Sequence, residues 1–166
     1  QWCAFPDFKE RSLYTGPCKA KNFDIFEDLL QKNGMASQAE KFLYASGKLQ
    51  VTAYKYEIER NLRTKDYSGF LLLGLNDYSG QGTALVGPLN VFWKEKGYVD
   101  SKQWKEFCGK IVPLAKFPKF VFQNTDTLNI PIEVYNASEG EIKDADIVYS
   151  IVDKDMHSDI IAKYNT

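Results

Sequence analysis

The residues best suited to chemistry sit together: Asn76, Asp77, Tyr78, Ser79, Gly80, Gln81, Gly82 and Thr83. They bring a carboxylate, two carboxamides, hydroxyls and one aromatic ring into a single short segment. Such a set suits a polyhydroxylated ligand. Carboxylate and carboxamide groups grip pairs of hydroxyls, while a ring packs on the apolar face of a sugar. The same composition also describes an ordinary Asx turn with a tyrosine at the edge of the core, and the residues alone leave both readings open. Gly80-Gln81-Gly82 is no phosphate loop, because the Lys-Ser/Thr ending and its spacing are missing. His157 is the sole histidine and lies in a late turn without an orienting partner, so acid–base or metal chemistry has no second group to work with. Cys3, Cys18 and Cys108 match no zinc spacing and no disulfide framework. A Cys3–Cys18 bridge stays open, and buried free thiols are the expectation.

The elements that must position this loop are legible on either side of it. Gly69-Phe70-Leu71-Leu72-Leu73-Gly74-Leu75 is a continuous apolar run, the mark of a strand covered on both faces, as in a parallel sheet flanked by helices. A long helix is predicted before it, from about Ala36 to Leu62, with Ala39, Phe42, Leu43, Leu49, Ala53 and Tyr56 on its apolar side. Gly47 in its interior costs about 1 kcal/mol relative to alanine, which points to a close neighbour or a kink. Together they read as the last α–β step of an α/β fold, and ligands in such folds bind at the carboxyl ends of strands.

Upstream, residues 1 to 21 read as a loop punctuated by Pro6, Gly16 and Pro17. Asn22 is the expected N-cap of a helix that stops at Asn33-Gly34. Downstream, Asp100 and Gln103 form a capping box ahead of Trp104, Phe107 and Cys108. From Lys119 onward the period changes to two. Strands are predicted around Phe120, from Leu128 to Val134, from Ile147 to Ile151 and from Ile160 to Tyr164, with Pro131 marking an edge. Alternating strands with turns between them are the pattern of an antiparallel sandwich.

Composition excludes several classes. Hydrophobic residues make up 44%, enough for a packed core. Basic and acidic residues number 21 and 22 and are mixed along the chain, so no basic stripe points to nucleic acid. No run approaches the roughly 18 apolar residues of a membrane span. Nothing in the sequence calls for a cofactor.

Three blocks carry a family resemblance: Gln1 to Phe8 (QWCAFPDF), Asn22 to Leu29 (NFDIFEDL) and Gly69 to Gly87 (GFLLLGLNDYSGQGTALVG). They resemble the glycoside hydrolase family 2 superfamily, in particular bacterial β-galactosidase-like exo-glycosidases. The resemblance implies a retaining enzyme with two glutamates on a (β/α)8 barrel, held about 5 Å apart as acid/base and nucleophile. It implies that Phe70 to Leu75 form the eighth barrel strand. It puts the nucleophile just before Gln1, so both catalytic glutamates fall outside this chain. Gln1 and Trp2 would flank the nucleophile, Asn76, Asp77, Tyr78 and Gln81 would line the substrate rim, and Trp93 would either cap the barrel or pack in the core.

The expected architecture is therefore α/β plus all-β. Residues 1–113 form the C-terminal part of a (β/α)8 catalytic barrel, and residues 114–166 form a partial immunoglobulin-like β-sandwich. The expected partner is a terminal β-linked sugar, with a non-catalytic carbohydrate-binding or scaffold module as the competing class. Neither nucleic acid nor membrane is expected as a partner. Both ends are expected to be cuts through a larger protein, with self-association through the open strand edges. A periplasmic or secreted location follows from the resemblance alone.

Overall fold

The computed structural model describes residues 2–152 and 158–165, with side chains through Ser150. Gln1 and His157 lie outside the described residues. The chain mixes helix and strand and divides into two compact units, Gln1–Tyr135 and Asn136–Thr166. The contact boundary thus falls after Tyr135, whereas the change in residue pattern lies near Pro113 to Pro118.

In the first unit, helix α1 spans Lys21–Lys32 and α2 spans Ala39–Leu62, the latter entered through a 3-10 turn at Ala36–Gln38. The N-terminal segment is less irregular than expected: Phe8–Leu13 form a 3-10 helix whose N-cap, Asp7, accepts from Lys9 N at 3.1 Å. Asn22 is not the cap of α1. It sits inside the first turn, and its amide donates to the carbonyls of Thr83 at 2.7 Å and Gln81 at 3.3 Å. A carboxamide there serves the distant loop instead of its own helix. Asn33 and left-handed Gly34 end α1 as the sequence predicts.

Helix α2 is the central element of this unit, but its buried face is rotated from the one expected. Leu43, Gly47, Gln50, Tyr54 and Ile58 are buried, while Phe42, Leu49 and Tyr56 face outward. The reason lies in what α2 packs against, which is polypeptide backbone as much as side chains. Gln50 Nε2 donates to the carbonyls of Trp2 at 2.7 Å and Val86 at 3.1 Å, and Tyr54 donates to Val86 O at 3.0 Å. Gly47 has the close neighbour that its position demanded. A Cβ at Gly47 would overlap the ring of Tyr98, which lies against the helix there.

Helix α3, Ser101–Lys105, starts with both arms of the predicted capping box: Gln103 N donates to Asp100 Oδ1 at 2.8 Å, and Asp100 N donates to Gln103 Oε1 at 3.3 Å. Behind it, Phe107 packs with Tyr54 and Ile58. Strand β1, Ile111–Ala115, was hidden in the sequence by Pro113. Its Val112 and Leu114 are buried while Ile111 is exposed. It pairs with β2, Ile132–Asn136, and Lys116 N donates to Pro131 O just beyond. The strand expected around Phe120 does not form; Phe120 and Val121 are largely exposed.

In the second unit, β3, Asp146–Val152, pairs antiparallel with β4, Ser158–Asn165, setting Ile147 opposite Tyr164. The register shifts between Tyr149 and Ser150.

The largest departure concerns the apolar run. No strand forms over Gly69–Leu75, and among the described residues it has no strand beside it. Leu71 is 100% exposed and Leu73 76% exposed, while Leu72 packs onto the Tyr54, Ile58 and Phe107 cluster. Leu72 alone packs inward while Leu71 and Leu73 face solvent and Phe70 and Leu75 stay partly exposed, so the run is covered at one residue. Continuous hydrophobicity predicted two covers, and this chain supplies one.

Candidate functional site

Loop 76–99 begins where the apolar run ends. Leu89 N donates to Leu75 O at 3.2 Å and Asp77 N to Leu89 O at 2.9 Å, so the two segments join as a parallel bridge at Asn76 and Leu89. Tyr78 and Ala84 then exchange both backbone hydrogen bonds, 3.0 and 2.8 Å, and close residues 78–84 into a tight loop. At its tip Gln81, Gly82 and Thr83 all have positive φ, +56°, +69° and +70°. Left-handed backbone is easy for glycine but strained for glutamine and more so for β-branched threonine. Asn22 holds this strained tip by its two bonds to the carbonyls of Gln81 and Thr83.

Beneath the loop lies a buried ion pair. Lys96 Nζ reaches Asp77 Oδ1 at 2.8 Å and Oδ2 at 2.7 Å, with side-chain exposures of only 3% and 1%. The Gly87 N–H also donates to Asp77 Oδ1 at 3.0 Å, and Lys96 Nζ donates to Gly87 O at 2.8 Å. The Tyr98 hydroxyl adds 2.7 Å to Gln50 Oε1 and 3.2 Å to Gly87 O. Gly87 has no room for a side chain, since a Cβ would overlap the backbone of Asn76 and Asp77. Every polar atom of the pair is thus matched by an opposite charge or a peptide group, which is the condition for holding charges away from water. Burial pushes the Asp77 carboxyl up and the Lys96 ammonium down, and their mutual attraction opposes both shifts. Nearby, Glu10 accepts from Asn90 Nδ2 at 2.5 Å, and burial raises its carboxyl above the usual range. Asn90 Oδ1 in turn accepts from the backbone of Phe92 and Lys94, both at 2.9 Å.

Over this base the loop and the N-terminal segment enclose an open cleft of about 410 Å³. Asn76, Tyr78 and Ser79 line it together with Tyr14, Cys18 and Phe92. Tyr78 is 60% exposed, and its ring lies over Gly80, where a Cβ would overlap it. Tyr14 and Phe92 meet edge to face with centroids 5.5 Å apart. The hydroxyls of Tyr14 and Thr83 are both buried without a hydrogen-bond partner. Burial raises the Tyr14 hydroxyl above the usual phenol range, and the nearby Thr83 hydroxyl opposes that rise without reaching hydrogen-bond geometry.

The structure therefore brings together Asn76, Asp77 and Tyr78, with Asp77 under the cleft and its carboxylate committed inward. Gln81 is exposed at the loop tip and does not line the cleft. Trp2 is exposed and is held through its carbonyl by Gln50; it too lies outside the lining. Gln1 lies outside the described residues. Trp93 is exposed with φ +63°, so it packs in no core of this unit. Tyr14, Cys18 and Phe92 gave no advance signal, because only the tertiary fold carries these loops to Tyr78. The cysteines are free, and Cys3 and Cys18 are exposed where burial was expected. Among the described residues no group of acidic, histidine or cysteine side chains could hold a metal, and no helix is long and apolar enough to cross a membrane. No protein-family model and no curated protein matches the chain.

Proposed function

We propose that this chain is the C-terminal part of a retaining, β-galactosidase-like glycosidase barrel and that the cleft beside Asn76 and Tyr78 contacts a terminal β-linked sugar. The observation that carries the reading is the make-up of the cleft: a solvent-facing tyrosine ring fixed over Gly80, a second ring pair, and carboxamide and hydroxyl groups around them. Rings supply apolar contact to a sugar face and the polar groups take its hydroxyls.

The chain's own part in the reaction is binding and orientation. Retention needs two free carboxyl groups about 5 Å apart. Asp77, the one carboxylate that lines the cleft, is neutralised by Lys96, so this chain brings no such pair to the cleft. The bond-breaking glutamates come from outside these residues. The committed carboxylates equally favour a second reading, a carbohydrate-binding module without catalysis. Self-association through Phe70 to Leu75, and a periplasmic or secreted setting, belong to the first reading.

Titration of the purified chain with a β-galactoside, followed by NMR, tests the binding. We expect millimolar affinity that is lost in Tyr78→Ala with folding intact, and no hydrolysis of a chromogenic galactoside. Absence of sugar binding would sink both readings, and hydrolysis by the pure chain would overturn the assignment of catalysis elsewhere. The coding sequence before Gln1 separates the two readings. The enzyme requires a glutamate within a few residues and an Asn-Glu pair further back.

A further inference from the structure

A second concave site lies within the first unit, on the outer side of α2. It encloses about 470 Å³ between α2, β1 and the segment that follows β1. That volume falls in the range of roughly 300–1,000 Å³ that holds small organic ligands. Its walls are rings. Tyr56 meets Phe120 at 5.3 Å, Phe117 meets Phe122 at 6.3 Å, and Lys119 stands over Phe122 at 5.2 Å. Phe120 is 79% exposed, so the strongest apolar wall faces water. Large solvent-facing aromatic patches rimmed by charge mark binding surfaces.

The charges define what fits. Glu59 is shared by Lys55 and by Arg63, the latter at 3.0 Å, which leaves one positive charge in excess at that corner. Lys119 is balanced by Asp126 at 2.6 Å. Arg63 donates through Nη2 to Glu59 and, at 2.8 Å, to Ala115 O, whereas its Nε is buried with no acceptor. Arg63 lines the groove, and a guanidinium carrying the surplus of one positive charge suits a monoanionic carboxylate.

We propose that this groove binds a small aromatic carboxylate, its ring between Tyr56, Phe120 and Phe122 and its carboxylate on Arg63. The site is separate from the Tyr78 cleft and does not depend on the sugar reading.

Titration calorimetry of the full chain with indole-3-acetate tests it, with indole-3-acetamide as the neutral match of the same shape. The acid should bind at least about tenfold more tightly than the amide, the scale of one charge-assisted hydrogen bond. Phe120→Ala, at a largely exposed position that leaves the core intact, should weaken the acid severalfold. Arg63→Gln should bring acid and amide to equal affinity, and a circular dichroism melt checks that this variant stays folded. Equal affinity for acid and amide in the unaltered chain would overturn the proposal, as would indifference to Phe120→Ala or no binding at millimolar acid.

Discussion

Two adjacent segments of this chain behave oppositely to their composition. Gly69–Leu75 is almost wholly apolar, yet Leu71 and Leu73 stand in solvent. Loop 76–99 is rich in glycine, yet alongside Leu85, Val86 and Tyr98 it holds the polar side chains of Asp77, Thr83, Asn90 and Lys96 in the interior. Hydrophobicity states what burial would gain. It does not state whether a covering partner exists, and the apolar run is covered only where Leu72 meets Tyr54, Ile58 and Phe107. The loop's charges and amides can be buried because they meet matching groups supplied by its own turns, by Asn22 and by Gln50. Burial here follows the supply of partners, not the hydropathy of the segment.

The sharpest way to break that comparison is Lys96→Met. It leaves the Asp77 carboxylate buried with only the Gly87 N–H for compensation, and breaking a buried pair from one side costs about 3–5 kcal/mol. The loss has a pH signature. Without the lysine's attraction, burial alone raises the Asp77 carboxyl further above its ordinary value of 3.8. A raised acid holds its proton more readily in the folded state, so the penalty is full above its folded pKa and shrinks as pH falls through it. Urea unfolding over a pH series should show the defect narrowing on acidification. Adding Asp77→Asn, which keeps an acceptor for Gly87, should recover part of the loss. A single-variant cost below about 1 kcal/mol, within the range of an exposed pair, would show that this pair holds nothing.

These contrasts also mark what the sequence made legible. The Asp100–Gln103 box, the Asn33-Gly34 stop and the extent of α2 rest on local chemistry, and they stand where periodicity places them. Asn76, Asp77 and Tyr78 are neighbours in the chain itself, and the cleft they line is a feature of the tertiary fold. What escaped depends on distant partners. Asn22 looked like a cap because the loop that claims its amide is some sixty residues away in sequence. Asp77 looked like a ligand contact because the lysine that neutralises it has no fixed spacing from it. Leu71 looked buried because a run of leucines carries no mark for a missing neighbour.

A smaller effect is expected at the joint between α2 and the loop. Gly47→Ala would ordinarily strengthen a helix by about 1 kcal/mol. Here the added methyl overlaps the Tyr98 ring, whose hydroxyl ties Gln50 to Gly87. Overpacking of a tight contact costs about 1–3 kcal/mol and should outweigh the propensity gain. Thermal melts should show a lowered midpoint, with the Tyr98 ring resonances in NMR reporting the displaced ring. A neutral or stabilising outcome would mean that the loop rests loosely on α2, and the contrast with the apolar run would lose its physical basis.

The least change in stability is expected from Leu71→Ser, and that is what makes it informative. Leu71 is fully exposed, so its removal costs the folded chain no buried area, and surface substitutions of this kind usually stay within about 0.5 kcal/mol. Association is a different matter. A solvent-facing leucine on an extended segment is a site where another chain gains by docking. Sedimentation velocity should show the unaltered chain self-associating with rising concentration and the serine variant doing so less, at the same urea midpoint. If both sediment as the same monomer, water is the lasting environment of this face and no partner strand is needed. If Leu71→Ser instead lowers the urea midpoint by 1 kcal/mol or more, the run is covered within the monomer in solution, and hydropathy was a sound guide to it after all.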